Sequence, residues 1–515
     1  MKRRRFAPGS EYHSNRGSIA LRFGSWAGAR QPAAARAEGH PVKRRWLLGA
    51  ILALAAFLRT YQLAAFPPGL YVDEAMDGNS AREALETHRF QAFYPEDNGR
   101  EGLYVNAAAV AIAAFGNQAW ALRLPAAIFG TLTVAGIYLL GAELVSAPAG
   151  WLAAFFLATS FWHLVFSRMA FRAIAAPLFL VWALWLLQVA MRRGRGGQPW
   201  LGWMILAGAV YGLGFYTYPA YRVTPLLVIA IWAGVGLRAK PNARWAWIFA
   251  ASAAVVAAPL AVYFAGHAGA FWGRASQVSV FGGPRPALEI VLNCWRTARM
   301  LFTRGDHNWR HNVAWQAELF WPVAACLVVG LGAAWKRHRA ILLWLALGMA
   351  PAVAATEAPH ALRAILMLPA VCLLSALGAL QVYAWLGRRA PARVLQVAAA
   401  AALLALSYQP YHAYFDVWAR NPKTAEAFDS TYSDLARRIA AAPPDRPKLV
   451  VAAFSGMQVG GLPVQLQPIM FLTGSYTARD RLEKRIRYIA GQAGDAGLCL
   501  ETARREPGAA VFCLP

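Results

Sequence analysis

The chain has 515 residues, 58% of them hydrophobic and only 15% charged, with a mean hydropathy of +0.36. Soluble domains carry about 25% charged residues, so a soluble globular protein is excluded. The formal net charge of +26 does not point to nucleic acid, because the arginines and lysines sit in a basic leader and between hydrophobic runs.

Residues 1–45, with Lys2, Arg3, Arg4 and Arg5 and later Lys43, Arg44 and Arg45, are rich in Ala, Gly and Ser. They read as a disordered basic cytoplasmic tail. The apolar run that follows is long and lacks a cleavage site, so it reads as an uncleaved first spanning helix, not a signal peptide. Runs at 46–56, 122–140, 151–166, 178–190, 248–264, 341–355 and 394–406 carry almost no charge. A helix needs about 20 such residues to cross a bilayer, and no water is available there to satisfy an open backbone.

Basic clusters at 192–195, 238–244, 336–339 and 388–393 join the leader on the cytoplasmic side by the positive-inside bias. An even number of crossings then separates neighbouring clusters. This demotes residues 105–115, too short to span, to an interfacial or re-entrant helix. The expectation is an all-α polytopic protein of the plasma (inner) membrane with about eleven transmembrane helices, N-terminus inside and C-terminus outside. Residues 46–409 form its membrane domain, with outer loops at 65–122 and 266–317. Arginines on the translocated face run against the usual bias, and a site is the natural reason for them.

The first outer loop runs from Phe66, Pro67 and Pro68 through Asp73 and Glu74 to Arg100 and Glu101. A proline-rich exit from a helix followed by paired carboxylates places acids just above the membrane, where they serve proton abstraction or divalent-metal binding. The plainer alternative is that Asp73 only caps a helix beginning near Ala75.

Val72, Asp73, Glu74 and Ala75, with Gly78 and Ala81, follow the first apolar helix. Ala121 to Ala126 with Gly130, the run 150–160 leading to Ser167 and Arg168, and His360 to Ala364 with Pro369 come later. Their order and spacing resemble the GT-C glycosyltransferases over residues 46–386, closest to the protein O-mannosyltransferase and aminoarabinose transferase families. The resemblance implies a polyprenyl-phosphate-linked sugar donor used on the extracytoplasmic face, inverting chemistry, and a first-loop acid as general base. That role falls on Asp73, with Glu74 second. The aminoarabinose branch carries a Glu-Lys pair later in this loop. Here Arg100, Glu101 and Gly102 stand nearest, the lysine is missing, and the sugar is left open.

The leaving group of such a donor is a phosphate, and arginine's planar fork suits it. Arg168, Arg172, Arg222 and Arg363 each begin or end a helix on the outer face of this topology, and His360 adds a titratable donor. Any one of these arginines reads equally well as snorkelling to lipid headgroups; four on the disfavoured face point to a site. Asp306, His307, Arg310 and His311 cluster within residues 303–312. Contact with substrate phosphate or sugar, a divalent metal held by Asp306, His307 and His311, and a solvated loop are the three readings there. Tyr216, Tyr218 and Tyr221 flank Pro219 and suit either sugar stacking or an interfacial aromatic belt.

Residues 410–515 read as a small extracytoplasmic α/β domain. An amphipathic helix is expected at 425–441, strands at 448–454, 470–472 and 509–514, and a second helix at 481–490. Outside the cytoplasm Cys499 and Cys513 are a candidate disulfide. The resulting expectation is a lipid-linked glycosyltransferase with an acceptor of unassigned kind (glycan, lipid or protein). The competing classes are a transporter or flippase of lipid-linked sugars and an oligosaccharyltransferase-like ligase using a diphosphate-lipid donor. A transporter places its polar groups on broken helices near the midplane, whereas these charges gather at one face.

Overall fold

The computed structural model describes residues 41–96, 98–236, 242–453, 457–459, 461–491 and 497–514. The expected tail over residues 1–45 lies almost wholly outside the described residues. The elements in chain order begin with α1 (Pro41–Thr60), α2 (Val72–Thr87), β1 (Phe93–Tyr94), β2 (Arg100–Glu101) and α3 (Leu103–Phe115). Then come α4 (Ala119–Leu144), α5 (Ala147–Ala158), α6 (Phe161–Phe166), α7 (Ala175–Arg195), α8 (Leu201–Leu213), α9 (Thr224–Gly236) and α10 (Asn242–Gly266). The second half holds α11 (Ala268–Gln277), α12 (Pro286–Met300), α13 (Trp321–Arg337), α14 (Arg339–Val353), α15 (Leu368–Leu386) and α16 (Ala392–Tyr411).

Among the described residues, five helical stretches are long and apolar enough to cross a membrane: Ala119–Leu144, Arg172–Arg195, Ala243–Gly266, Ile365–Leu386 and Ala392–Trp418. Shorter apolar helices accompany them, among them Trp46–Thr60, Ala147–Ala158 and Arg339–Val353. The fold is therefore a mostly helical polytopic membrane protein, with fewer full-length spans than the expected eleven. Part of the shortfall is local. The apolar run 151–166 is interrupted between α5 and α6, where the Ser160 hydroxyl accepts the His163 N–H (3.2 Å) and caps a new helix. Helix α3 has 13 residues; at about 1.5 Å per residue it falls short of a ~30 Å hydrocarbon core.

Lipid offers no hydrophobic drive for helix association, so close backbone packing must serve. At the α13–α15 crossing a Cβ on Gly330 would stand 1.9 Å from the Leu374 carbonyl oxygen, and one on Gly378 would stand 1.8 Å from that of Cys326. Only glycine lets these two helices touch backbone to backbone.

Two expectations for the loops are corrected. Residues 266–317 do not form one long loop, because α11 and the amphipathic α12 occupy much of it. The expected helix at 425–441 is broken into α17 (Pro422–Ala427) and α18 (Ser430–Ala441), with Asp429 between them at φ 51°.

The C-terminal part continues with β3 (Lys448–Ala453), β4 (Gln458–Val459), β5 (Leu462–Pro463), α19 (Gln467–Thr473), α20 (Ala478–Glu483), β6 (Ile486–Gly491), α21 (Leu498–Arg505) and β7 (Ala510–Cys513). Strands β6, β3 and β7 form a parallel sheet in that order, with Lys448 beside Ile486 and Ala510. Residues 470–472 are helical, not a strand, since Pro468 favours the first turn and Gly474 closes the helix in the left-handed region. Residues 486–490 are a strand, not a helix, because Ile486, Tyr488 and Ala490 alternate across the sheet beside β3. Cys499 and Cys513 are joined by a disulfide that ties α21 to β7. This part docks on α2. The Asn79 side chain donates to the carbonyl (3.1 Å) and side-chain oxygen (2.8 Å) of Gln467, Arg82 pairs with Asp480 at 2.5 Å, and Phe471 packs on Gly78.

Candidate active site

The site is built on the first turn of α2. The chain bends through Pro67, Pro68 and Gly69, the last at positive φ, and the first helical hydrogen bond runs from the Ala75 N–H to the Tyr71 carbonyl at 3.0 Å. Tyr71 is thus the capping position and Asp73 lies inside the first turn, so the plainer capping role does not describe Asp73. A carboxylate there is favoured by the dipole and the unpaired N–H groups of the helix start. Asp73 is half-buried and lines a cavity of about 640 Å³.

Glu74, one residue on and about 100° around the helix, faces the interior and is fully buried. Arg123 of α4 grips its carboxylate with Nε on Oε1 and Nη2 on Oε2, both at 2.9 Å. The Ala170 N–H (2.7 Å) and the Tyr71 N–H (3.2 Å) donate to the same carboxylate. Its acceptor capacity is consumed by structure, so the second-in-line role as base is corrected: Glu74 anchors the turn that carries Asp73. Asp77, one turn beyond Asp73, lines the same cavity. It was not among the sequence candidates, although its i+4 spacing from Asp73 put it on that face.

Strands β1 and β2 form a hairpin whose turn uses Asn98 and Gly99 at positive φ. Alternation along β2 sends its two charged residues opposite ways. Arg100 Nη1 meets Asp77 at 2.7 Å and Nη2 meets the Ser80 hydroxyl at 2.8 Å, and Arg100 lines the cavity. Glu101 is buried between two arginines, with Arg172 Nε at 3.1 Å and Arg222 Nη2 at 3.0 Å. One carboxylate shared by two guanidiniums leaves a net positive charge, and of the two arginines it is Arg172 that lines the cavity. Arg222 also donates to the Phe271 carbonyl at 2.6 Å and stands outside the lining.

Arg363, Tyr218 and His360 complete the polar wall. Trp272 and Phe281, with Val223, Ala350, Pro351 and Ala354, form an apolar flank. Arg168 is a correction. It is fully buried, donates to the carbonyls of Leu58 (2.8 Å) and Phe66 (3.1 Å), and stacks on Tyr414 and Phe415 at 4.8 and 4.9 Å. It braces the exit of α1 and does not reach the cavity.

Behind His360 lies a second polar group. Asp306 Oδ2 accepts from the Ala361 N–H and meets His311 Nδ1, each at 2.8 Å, with His360 Nδ1 3.9 Å away. Donor atoms of Asp306, His311 and His360 fall within 4.8 Å of one another, and all three residues are buried. His360 Nδ1 has no hydrogen-bond partner among the described residues. The metal-capable set is therefore corrected from Asp306, His307 and His311 to Asp306, His311 and His360. His307 is exposed, stacks on Trp315 and lies 3.5 Å from Glu357. Arg310 lies outside the cavity lining with its guanidinium 4.0 Å from the Tyr71 ring. Although burial pushes the other way, His311 and His360 hold the Asp306 carboxyl well below the usual carboxylate range. Burial, then His311 and Arg363, hold His360 well below the ordinary histidine value, which makes it neutral near pH 7. It serves as a hydrogen-bonding group and not as a cation.

The helical frame has known counterparts. ArnT from Cupriavidus metallidurans bound to undecaprenyl phosphate superposes over 92% of this chain and 90% of its own, with a TM-score of 0.56 at 14% identity. The chain has the GT-C fold. The same ArnT in the apo state gives a TM-score of 0.52 at 14% identity over 92% and 89% of the two chains. The oligosaccharyltransferase of Archaeoglobus fulgidus, tethered with an acceptor peptide, gives 0.50 at 15% identity over 88% of this chain, which spans 64% of that protein's length. Residues 103–263, from α3 into α10, match the dolichyl-phosphate-mannose-protein mannosyltransferase family. That match covers about a third of the chain and agrees with the membrane glycosyltransferase class that the sequence resemblance implied. No curated protein matches the chain in sequence.

Proposed function

We propose that this GT-C protein transfers a sugar from a polyprenyl-phosphate donor to an acceptor hydroxyl or amine on the extracytoplasmic face. One observation carries the reading: Asp73 and the cations Arg172 and Arg363 line a single cavity that also has an apolar flank. Asp73 takes the acceptor proton as the acceptor atom bonds to the anomeric carbon from the face opposite the leaving group. The bond from that carbon to the phosphate oxygen breaks, its electron pair leaves with the polyprenyl phosphate, and the sugar inverts. Arg172 and Arg363 receive the phosphate charge as it develops, with His360 donating or accepting a hydrogen bond beside them. Arg100 holds Asp77 so that two acids do not crowd the acceptor uncompensated, and Glu101 aims Arg172. The flank of Trp272, Phe281, Pro351 and Ala354 takes the first isoprene units. That the ArnT of similar fold binds undecaprenyl phosphate supports this donor chemistry.

In the same reading α1, α4, the α5–α6 pair, α7 to α10 and α13 to α16 provide the eleven crossings of an inner-membrane protein. The N-terminus is then cytoplasmic and residues 410–515 extracytoplasmic. A second reading, favoured by the orphaned His360 Nδ1, adds a divalent ion held by Asp306, His311 and His360. Such an ion would supply positive charge behind the phosphate.

The test is the lipid-linked sugar content of membranes from cells lacking the protein, rescued with the wild type or with Asp73→Asn. One polyprenyl-phosphate sugar should accumulate and be cleared by the wild type alone. An unchanged lipid pool in all three strains would overturn the transferase reading in favour of a transporter.

A further inference from the structure

The N-terminus of α2 is also met by a segment some 350 residues later in the chain. Residues 428–430 lie directly on the turn that enters α2. A Cβ on Gly69 would stand 2.3 Å from the Phe428 carbonyl oxygen and 2.7 Å from the Ser430 Cα, and Gly69 itself is at φ +78°. Phe428 is fully buried, lies 5.7 Å from the Trp418 ring and is 5.9 Å from the guanidinium of Arg123, the residue that grips Glu74. Between Phe428 and Ser430 stands Asp429, at φ 51°. The left-handed region costs an L-residue about 1–2 kcal/mol, with Asp and Asn its commonest non-glycine occupants. Here it interrupts what the sequence pattern would have made one continuous helix. The break brings the Asp429 carboxylate to face the Val72 backbone N–H, in the first turn of α2.

We propose that Asp429 is a positioning residue for Asp73: it caps the first turn of α2 from the C-terminal part of the chain, so that the aim of the Asp73 carboxylate depends on how residues 428–430 are seated. The inference rests on the reading of Asp73 as the base. It assigns the C-terminal part a duty beyond covering the site, since α19 on Gly78 and Asp429 on Val72 hold the two ends of the same stretch of α2.

The groups facing Asp429 are the Val72 N–H and Glu74 of α2, Arg310 from the 305–318 loop, and Tyr432 of α18. Tyr71, which faces both Asp73 and Asp429, carries Arg310 over its ring. Burial raises the Asp429 carboxyl to about 6, with the Val72 N–H and Arg310 opposing the rise and Glu74 adding to it. The cap is therefore charged, and strong, above about pH 6, and protonated and weaker below it.

The experiment is hydrogen exchange on the full chain in detergent, read on peptides covering residues 68–76 at pH 5 to 8 after correction for intrinsic rates. The wild type should show protection rising about fivefold through pH 6, the scale of losing one helix cap. Asp429→Asn should show the low level without the step. An asparagine variant that keeps the wild-type step overturns the proposal. In parallel, turnover of lipid-linked sugar extracted from the same membranes should fall about fivefold in kcat, with donor KM unchanged and the acid limb near pH 6 absent. Loss in KM alone overturns the positioning role. Asp429→Gly, which accepts the left-handed backbone, must reproduce the loss with an unchanged melting temperature; if turnover stays at the wild-type level in it, the proposal fails. Asp73→Asn separates the two ideas: turnover retained there removes Asp73 as the base, while the exchange result judges Asp429 independently.

Discussion

Arg123 and Glu74 meet as a planar fork on a carboxylate, Nε to Oε1 and Nη2 to Oε2 both at 2.9 Å, with neither side chain exposed to solvent. Arg123 also donates to the carbonyls of Pro67 and Gly69, each at 2.8 Å. One buried ion pair thus fixes the entry of α2, its first turn and α4 together. Because Glu74 is spent in this way, its neighbour Asp73 is presented to the cavity from a rigid base.

Removing one partner leaves the other charge buried and unpaired, which costs about 3–5 kcal/mol. Glu74→Ala and Arg123→Ala should each lower the melting temperature of the detergent-solubilised protein sharply and depress its yield. Asp73→Asn should leave the melting temperature unchanged. Equal thermal effects at Glu74 and Asp73 would undo this division of labour.

Asp73→Asn should reduce turnover by at least about 10²-fold, the usual worth of a positioned general base. Membrane insertion and donor binding should persist, because the asparagine is isosteric. The measurement is single-turnover release of polyprenyl phosphate. Activity within a fewfold of the wild type would exclude Asp73 as the base.

Arg172 and Arg363 line the cavity, whereas Arg168 is spent on the Leu58 and Phe66 carbonyls. Arg172→Ala and Arg363→Ala should each weaken polyprenyl-phosphate binding about tenfold or more; Arg363→Ala should leave fold stability unchanged, whereas Arg172→Ala should also lower it, because buried Glu101 is left with Arg222 alone. Arg168→Ala should instead destabilise the protein. Calorimetric titration with polyprenyl phosphate, beside thermal unfolding, tells the two patterns apart. A stable Arg168→Ala with tenfold weaker binding would reverse the assignment.

His360 and Asp306 both have depressed values in the folded state. A histidine kept neutral by folding binds fewer protons than its unfolded counterpart below about pH 6.5. Stability is therefore full above that pH and declines as the pH falls, by at most about 1.4 kcal/mol per pH unit for this one group. Asp306 adds a loss of the same sign below about pH 4, where its unfolded form begins to bind protons. His360→Gln should flatten the slope between pH 6.5 and 5 in a melting-temperature series. A slope identical to the wild type would place the titration elsewhere.

If a divalent ion sits among Asp306, His311 and His360, a chelator should lower the melting temperature and added zinc should restore it. His311→Ala should abolish both responses, and His307→Ala should keep them. Indifference of the wild type to both chelator and zinc would leave the cluster as a hydrogen-bonded brace.

The hydrophobic runs and the cysteine pair were legible because each depends on residue type and local spacing. Partner choice was not. Glu74 finds Arg123 49 positions away, and Arg222 finds Glu101 across 121. Nothing local distinguishes an arginine that faces a cavity from one that braces a loop, so Arg172 and Arg168 looked alike. Asp77 was within reach of helical periodicity, whereas His360 joining Asp306 and His311 was not.

By itself the sequence determined a polytopic membrane protein, because apolar runs and charge placement are properties of neighbouring residues. Only the tertiary structure decided which charges are consumed by one another and which border the cavity. It also decided that Asp429 breaks a helical pattern where residues 428–430 pack on Gly69, beside the entry of α2. A buried charge takes whichever partner the fold delivers within a few ångströms, and that distance is set by packing between segments hundreds of residues apart.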